Sequence, residues 1–212
     1  MALAFAAGST CFLLGPFPGY LQLVGPVADA ITFFVGSVLF TVGGAWQVRL
    51  AGPARGAGAA GRAAWWTATV QFAGTLFFNV TTFRALQTTI SDPAYDQLVW
   101  RPDAFGSICF LLSGLIAYRA SPRRGGLPVR GPTGWWQPGV NLLGCILFGV
   151  AAIAGYVVPS TGSMLDLAAA NWTTASGATC FLAVAGAGLA GEHRRHARED
   201  RYRSGSVPGA DT

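Results

Sequence analysis

The chain has 212 residues, a formal net charge of +5 and a mean hydropathy of +0.44, with 52% hydrophobic and only 11% charged residues. A soluble domain carries about a quarter charged residues, so the composition excludes an ordinary soluble domain. The long uncharged runs read instead as membrane spans. All fourteen basic residues are arginine; we read that as base composition of the gene, which makes a nucleic-acid partner unattractive.

The first apolar segment covers 2–14. It is expected to extend, kinked, towards Val24, because Pro16 and Pro18 interrupt helical hydrogen bonding. No basic residue precedes it and its Pro/Gly stretch is a poor cleavage site, so it reads as a retained helix rather than a signal peptide. Further spans are expected at about 27–48, 64–83, 104–117, 135–158 and 169–190. The linkers 51–62 and 121–134 are rich in Gly and Arg, and the connection 84–103 is the most polar. The fold class expected is an all-α integral membrane bundle of six helices over 1–191. A basic tail, 192–212, follows, its last stretch disordered in composition.

Twelve of the fourteen arginines lie in the linkers after the second and fourth spans and in the tail. The positive-inside rule then puts both termini in the cytoplasm of a bacterial plasma membrane. Trp65, Trp66, Trp135 and Trp136 open two spans at that interface, and Trp100 and Trp172 lie near the opposite one.

Each apolar segment contains Gly, a small residue, two free positions and Phe. The pairs are Gly8 and Phe12, Gly36 and Phe40, Gly74 and Phe78, Gly106 and Phe110, Gly144 and Phe148, and Gly177 and Phe181. Roughly one such match would arise by chance, so the pentad is a repeat. Positions i and i+4 share a helix face, and small residues let membrane helices approach closely; the pentad is therefore expected to be a packing seam. A shift of seventy residues superposes Gly36, Phe40, Gly44 and Arg49 on Gly106, Phe110, Gly114 and Arg119. The same shift puts Trp65, Trp66, Gly74 and Phe78 on Trp135, Trp136, Gly144 and Phe148. Duplicated hairpins 27–84 and 97–158 are expected, with 169–191 as part of a third copy. The segment from Gly8 matches that from Gly106 at six of seven positions, although the topology runs the two in opposite directions.

Candidate sites are few. Gln71 and Asn141 coincide under the shift and, with Asn79, are expected either to bond between helices or to line a polar cavity. No span carries a charged residue near its centre, which weighs against an ion-coupled transporter. Arg194, Arg195, Arg198 and Arg201 suit anionic lipid headgroups, a better use of that segment than metal binding by His193 and His196. Asp92, Asp96 and Asp103 with Arg101 read as a solvated loop. The run from Gly186 through Gly188 to Gly191 satisfies a dinucleotide fingerprint but lacks the following strand. Cys11, Cys109, Cys145 and Cys180 form no CxxC pair and read as packing residues. No catalytic constellation, cofactor site or metal site is expected.

The Gly-Ser-x-x-Phe helices, the stretch from Leu98 to Ser107 and the segment 135–149 resemble the YrhK-like family of small bacterial multi-pass membrane proteins. That resemblance implies an inner-membrane location and supplies no activity or site residues. The function expected is a non-enzymatic packing or interaction scaffold, oligomeric through its small-residue faces. The alternative is a small-solute or ion channel or transporter, motivated by the internal duplication and by Gln71 and Asn141.

Overall fold

A computed structural model describes residues 1–53, 58–121, 123–124, 127–128 and 136–205, with the backbone alone at 123–124, 127–128 and 195–205. The fold is all-α, and the described residues are 82% helical, in seven helices. They are α1 (Ala2–Leu14), α2 (Pro18–Val24), α3 (Pro26–Ala51), α4 (Ala59–Ala85), α5 (Arg101–Ala120), α6 (Gln137–Ala154) and α7 (Leu167–Gly205). A π-helical turn, Asp96–Trp100, leads into α5. Two minimal hairpins, β1 with β2 (Arg123–Arg124, Leu127–Pro128) and β3 with β4 (Val157–Val158, Ser163–Met164), sit in loops.

Among the described residues four helices are long and apolar enough to cross a membrane: Pro26–Ala51, Asp96–Ala120, Gln137–Ala154 and Leu167–Arg194. The bent pair α1 and α2 makes a fifth if taken as one span. The break expected in the first segment is present, and the chain turns by 92° between α1 and α2. Pro16 and Pro18 remove two backbone donors there, and Pro18 opens α2 at its first turn. Gly25 follows at φ +81, a left-handed conformation natural to glycine, and Pro26 starts α3. Several expected bounds were short: α4 begins at Ala59 inside the expected linker, and α7 continues through the charged tail to Gly205. Of that linker, 54–57 lie outside the described residues. So do most of 121–134, residues 206–212 and Trp135.

The helices close into a ring. α1 packs on α3, α3 on α4, α4 on α5, α5 on α6, α6 on α7, and α7 back on α1, while α2 lies against α3. The pentads meet in reciprocal pairs within it. A Cβ placed on Gly8 would stand 2.8 Å from the Phe40 ring and 2.9 Å from the Gly36 carbonyl, and one on Gly36 would stand 3.1 Å from Phe12. Gly74 and Phe110 answer Gly106 and Phe78 in the same way, at 2.7 and 3.1 Å. Gly144 and Phe181 answer Gly177 and Phe148, at 2.8 and 2.5 Å. Each glycine is thus the floor on which the partner's phenylalanine lies. The pairing joins α1 with α3, α4 with α5 and α6 with α7, one helix out of step with the hairpins that the seventy-residue shift suggests.

The antiparallel contact also accounts for the likeness between the segments at Gly8 and Gly106. A self-reciprocal contact needs the same residues on both helices whichever way they run.

One substitution tried twice on α7 tests this seam. Alanine improves helix propensity over glycine by about 1 kcal/mol, and at Gly186 the new methyl meets nothing within 4 Å. Gly186→Ala should therefore leave the melting temperature unchanged or raised. Gly177→Ala drives a methyl to 2.5 Å from Phe148, so overpacking of about 1–3 kcal/mol should outweigh the gain and lower it.

Candidate functional site: an aromatic plug between two cavities

The reciprocal seams send six phenylalanines to one place. Phe12, Phe40, Phe78, Phe110, Phe148 and Phe181, with Cys145 and Ala178, form a single buried cluster. Phe40, Phe110 and Phe181 make a triangle with ring centroids 6.3, 6.0 and 5.8 Å apart. Phe148 joins Phe12 and Phe78 at 5.8 and 6.0 Å in a second layer. Within each seam the layers touch, Phe12 on Phe40 at 5.7 Å, Phe78 on Phe110 at 5.0 Å and Phe148 on Phe181 at 5.4 Å. Edge-on and tilted pairs of this kind contribute about 0.5–1.5 kcal/mol each beyond their area.

A cavity lies on either side of the plug. One, of about 330 Å³, is floored by Phe12, Phe78 and Phe148 and draws residues from α1, α3, α4, α5, α6 and α7. The other, of about 280 Å³, is floored by Phe40 and Phe181 and draws on the same six helices. Both therefore lie on the axis of the ring. The first sits at the C-terminal ends of α1, α4 and α6 and the second at their N-terminal ends.

Counting from each pentad glycine gives the lining positions. Three and seven residues before Gly8, Gly74 and Gly144 stand Phe5, Gln71 and Asn141, and Met1, Thr67 and Gln137; all six line the smaller cavity. The same offsets from Gly36, Gly106 and Gly177 give Phe33, Asp103 and Thr174, and Asp29, Val99 and Ala170, which all line the larger one. Eleven residues after Gly36, Gly106 and Gly177, the positions Gln47, Ala117 and Gly188 return to the smaller cavity. Sequence reasoning missed most of these residues. The signal was present, since the positions before and after the pentad continue its helical face.

The expected polar candidates separate. Gln71 and Asn141 line the smaller cavity. Asn79 does not; its amide donates to Thr41 Oγ1 at 2.8 Å across the α3–α4 contact, where Ser37 and Thr82 hydroxyls also meet at 2.8 Å. In the loop before α5, Asp96 pairs with Arg101 at 3.2 Å and Asp92 accepts from the Ala94 amide. The expectation of a solvated acidic loop needs one correction, because Asp103 faces the larger cavity beside Tyr95. Burial, and then the charge of Asp103, push the Tyr95 phenol above its ordinary range, so it faces the cavity as a neutral hydroxyl. The loop is tied down by Trp100, whose indole donates to the Ala152 carbonyl at 2.8 Å, and by Thr81, which donates to Val99 at 3.0 Å.

The glycines 186, 188 and 191 lie within α7. His193 and Arg194 are exposed, while the side chains of Arg195, His196, Arg198 and Arg201 lie outside those described. Among the described residues no group of three or more His, Cys, Asp or Glu could hold a metal ion. Comparison with protein-family models, curated proteins and solved structures finds no match.

Truncating the plug should cost far more than truncating the outer face. Phe110 is 1% exposed and touches four other rings, whereas Phe77 is 38% exposed. Phe110→Ala should lose about 3–5 kcal/mol, read as a drop in melting temperature in detergent, and Phe77→Ala should scarcely move it.

Proposed function

We propose that this chain is a bacterial inner-membrane protein that passes a small solute along the axis of its helix ring, the six phenylalanines forming the closed gate. The observation that carries this reading is the pair of cavities on one axis, each lined by all six helices and divided by the plug. A packing scaffold accounts for the seams but gives the cavities no role. Hydrophobic constrictions gate by dewetting, and the water-filled state returns when the constriction is widened or made polar. No charged side chain belongs to the plug, which disfavours ions because a bare charge there would lose its hydration without replacement.

The reading includes six crossings with both termini cytoplasmic and the YrhK-like resemblance. α4 is the crossing with the weakest apolar signal. Its polar residues Thr67, Gln71, Thr75, Thr81 and Thr82 are buried, which lowers its mean hydropathy without exposing them to lipid. The six helices are read as three copies of one antiparallel pair, and the basic end with Arg194 as the one that meets anionic headgroups. The role is passage without chemistry.

Stopped-flow light scattering on reconstituted vesicles tests the gate. Wild-type protein should add little water permeability, while Phe181→Ser and the milder Phe148→Leu should raise it several-fold. Permeability unchanged in both variants would overturn the reading. Labelling of single cysteines at Gly58 and Asp96, with the four native cysteines replaced, tests the topology. The two should react from opposite sides, and reaction from one side would refute six crossings.

A further inference from the structure

We propose that the 280 Å³ cavity is a binding and selection site for an uncharged solute of a few heavy atoms that both donates and accepts hydrogen bonds, such as a short polyol or a primary amide. The inference rests on the axial-pathway reading and adds the class of solute. The volume is just below the usual range of ligand cavities, about 300–1,000 Å³. Among the described residues no side chain lining it carries a charge, and its polar side chains are the neutral ones of Gln47, Thr67, Gln71, Gln137 and Asn141.

Gln71 is the decisive residue. It is only 9% exposed, and its Oε1 accepts a long 3.4 Å contact from Ser113, whose hydroxyl donates more closely to the Thr67 carbonyl at 3.0 Å. The Gln71 amide nitrogen has no partner among the described residues, and it belongs to a side chain on the cavity wall. This nitrogen is not among the buried atoms left without a partner, so it is open to the cavity, where a ligand acceptor would take the place of water and contribute about 0.5–1.5 kcal/mol. Asn141 offers the complement. Its nitrogen makes only a 3.9 Å contact to Cys145 Sγ, and its carbonyl oxygen has no partner among the described residues.

The third equivalent position is Phe5, so the site has two amide walls and one apolar wall. A donor, an acceptor and a small hydrocarbon edge on one uncharged molecule match that lining. An ion would exchange its hydration for neutral amides on one side and a phenyl ring on the other.

The probes are glycerol, acetamide and sodium chloride, whose entry into vesicles is followed by stopped-flow scattering. With the gate-opened Phe181→Ser protein, both neutral probes should enter faster than into protein-free vesicles, and sodium chloride should not. Adding Gln71→Leu and Asn141→Leu should slow glycerol and acetamide about three- to tenfold, the loss of one or two neutral hydrogen bonds, and slow them more than it slows water. Asn141→Leu alone, at a part-buried position with one weak contact, serves if the double change fails to give monodisperse protein. Neutral probes entering the leucine variants as fast as the parent, or salt entering as readily as glycerol, would overturn this site while leaving the pathway standing. Absence of water and solute entry in every variant would overturn the pathway and the site together.

Discussion

A phenyl ring can lie against a helix backbone only where that helix presents no Cβ. In this chain the requirement is met six times, and always in both directions across a pair: the glycine that receives a ring stands one turn before the phenylalanine that is received. Lipid offers no hydrophobic drive for helix association, so close van der Waals contact has to hold the pair. The same contact that locks each pair also aims both rings at the axis. The plug is therefore a product of the seams, and neither can be altered without the other.

Polar side chains divide according to that frame. Ser37, Thr41, Asn79 and Thr82 bond to one another across α3 and α4, and such bonds replace the water that the bilayer withholds. Gln71 and Asn141, three residues before their glycines, make only long contacts, to Ser113 and to Cys145, and line open volume. Two amides of similar type thus serve different ends because their registers differ by a fraction of a turn.

Much of the ring was legible from residues alone. The pentad glycines and phenylalanines were read as seam residues because a short periodic motif of small and aromatic residues has few other uses in an apolar helix. Their partners were not legible. The seventy-residue shift pairs α3 with α4, whereas the rings interlock α1 with α3, and sequence spacing carries no information about which neighbour supplies the Cβ-free surface. The break at Pro16 and Pro18 was visible, but its 92° angle was not, since proline removes donors without fixing where the chain goes next. Gln71 and Asn141 were singled out by their match under the shift. Gln47, Thr67, Gln137, Asp29 and Asp103 carry no such mark in the sequence, because which helix positions face an axis is decided by how the helices pack and not by the residues themselves.

α7 packs back on α1, with a Cβ at Gly188 standing 3.5 Å from that of Ala2. The contact that closes the ring is therefore one between neighbouring helices that no stretch of chain connects, and side-chain packing alone has to hold it.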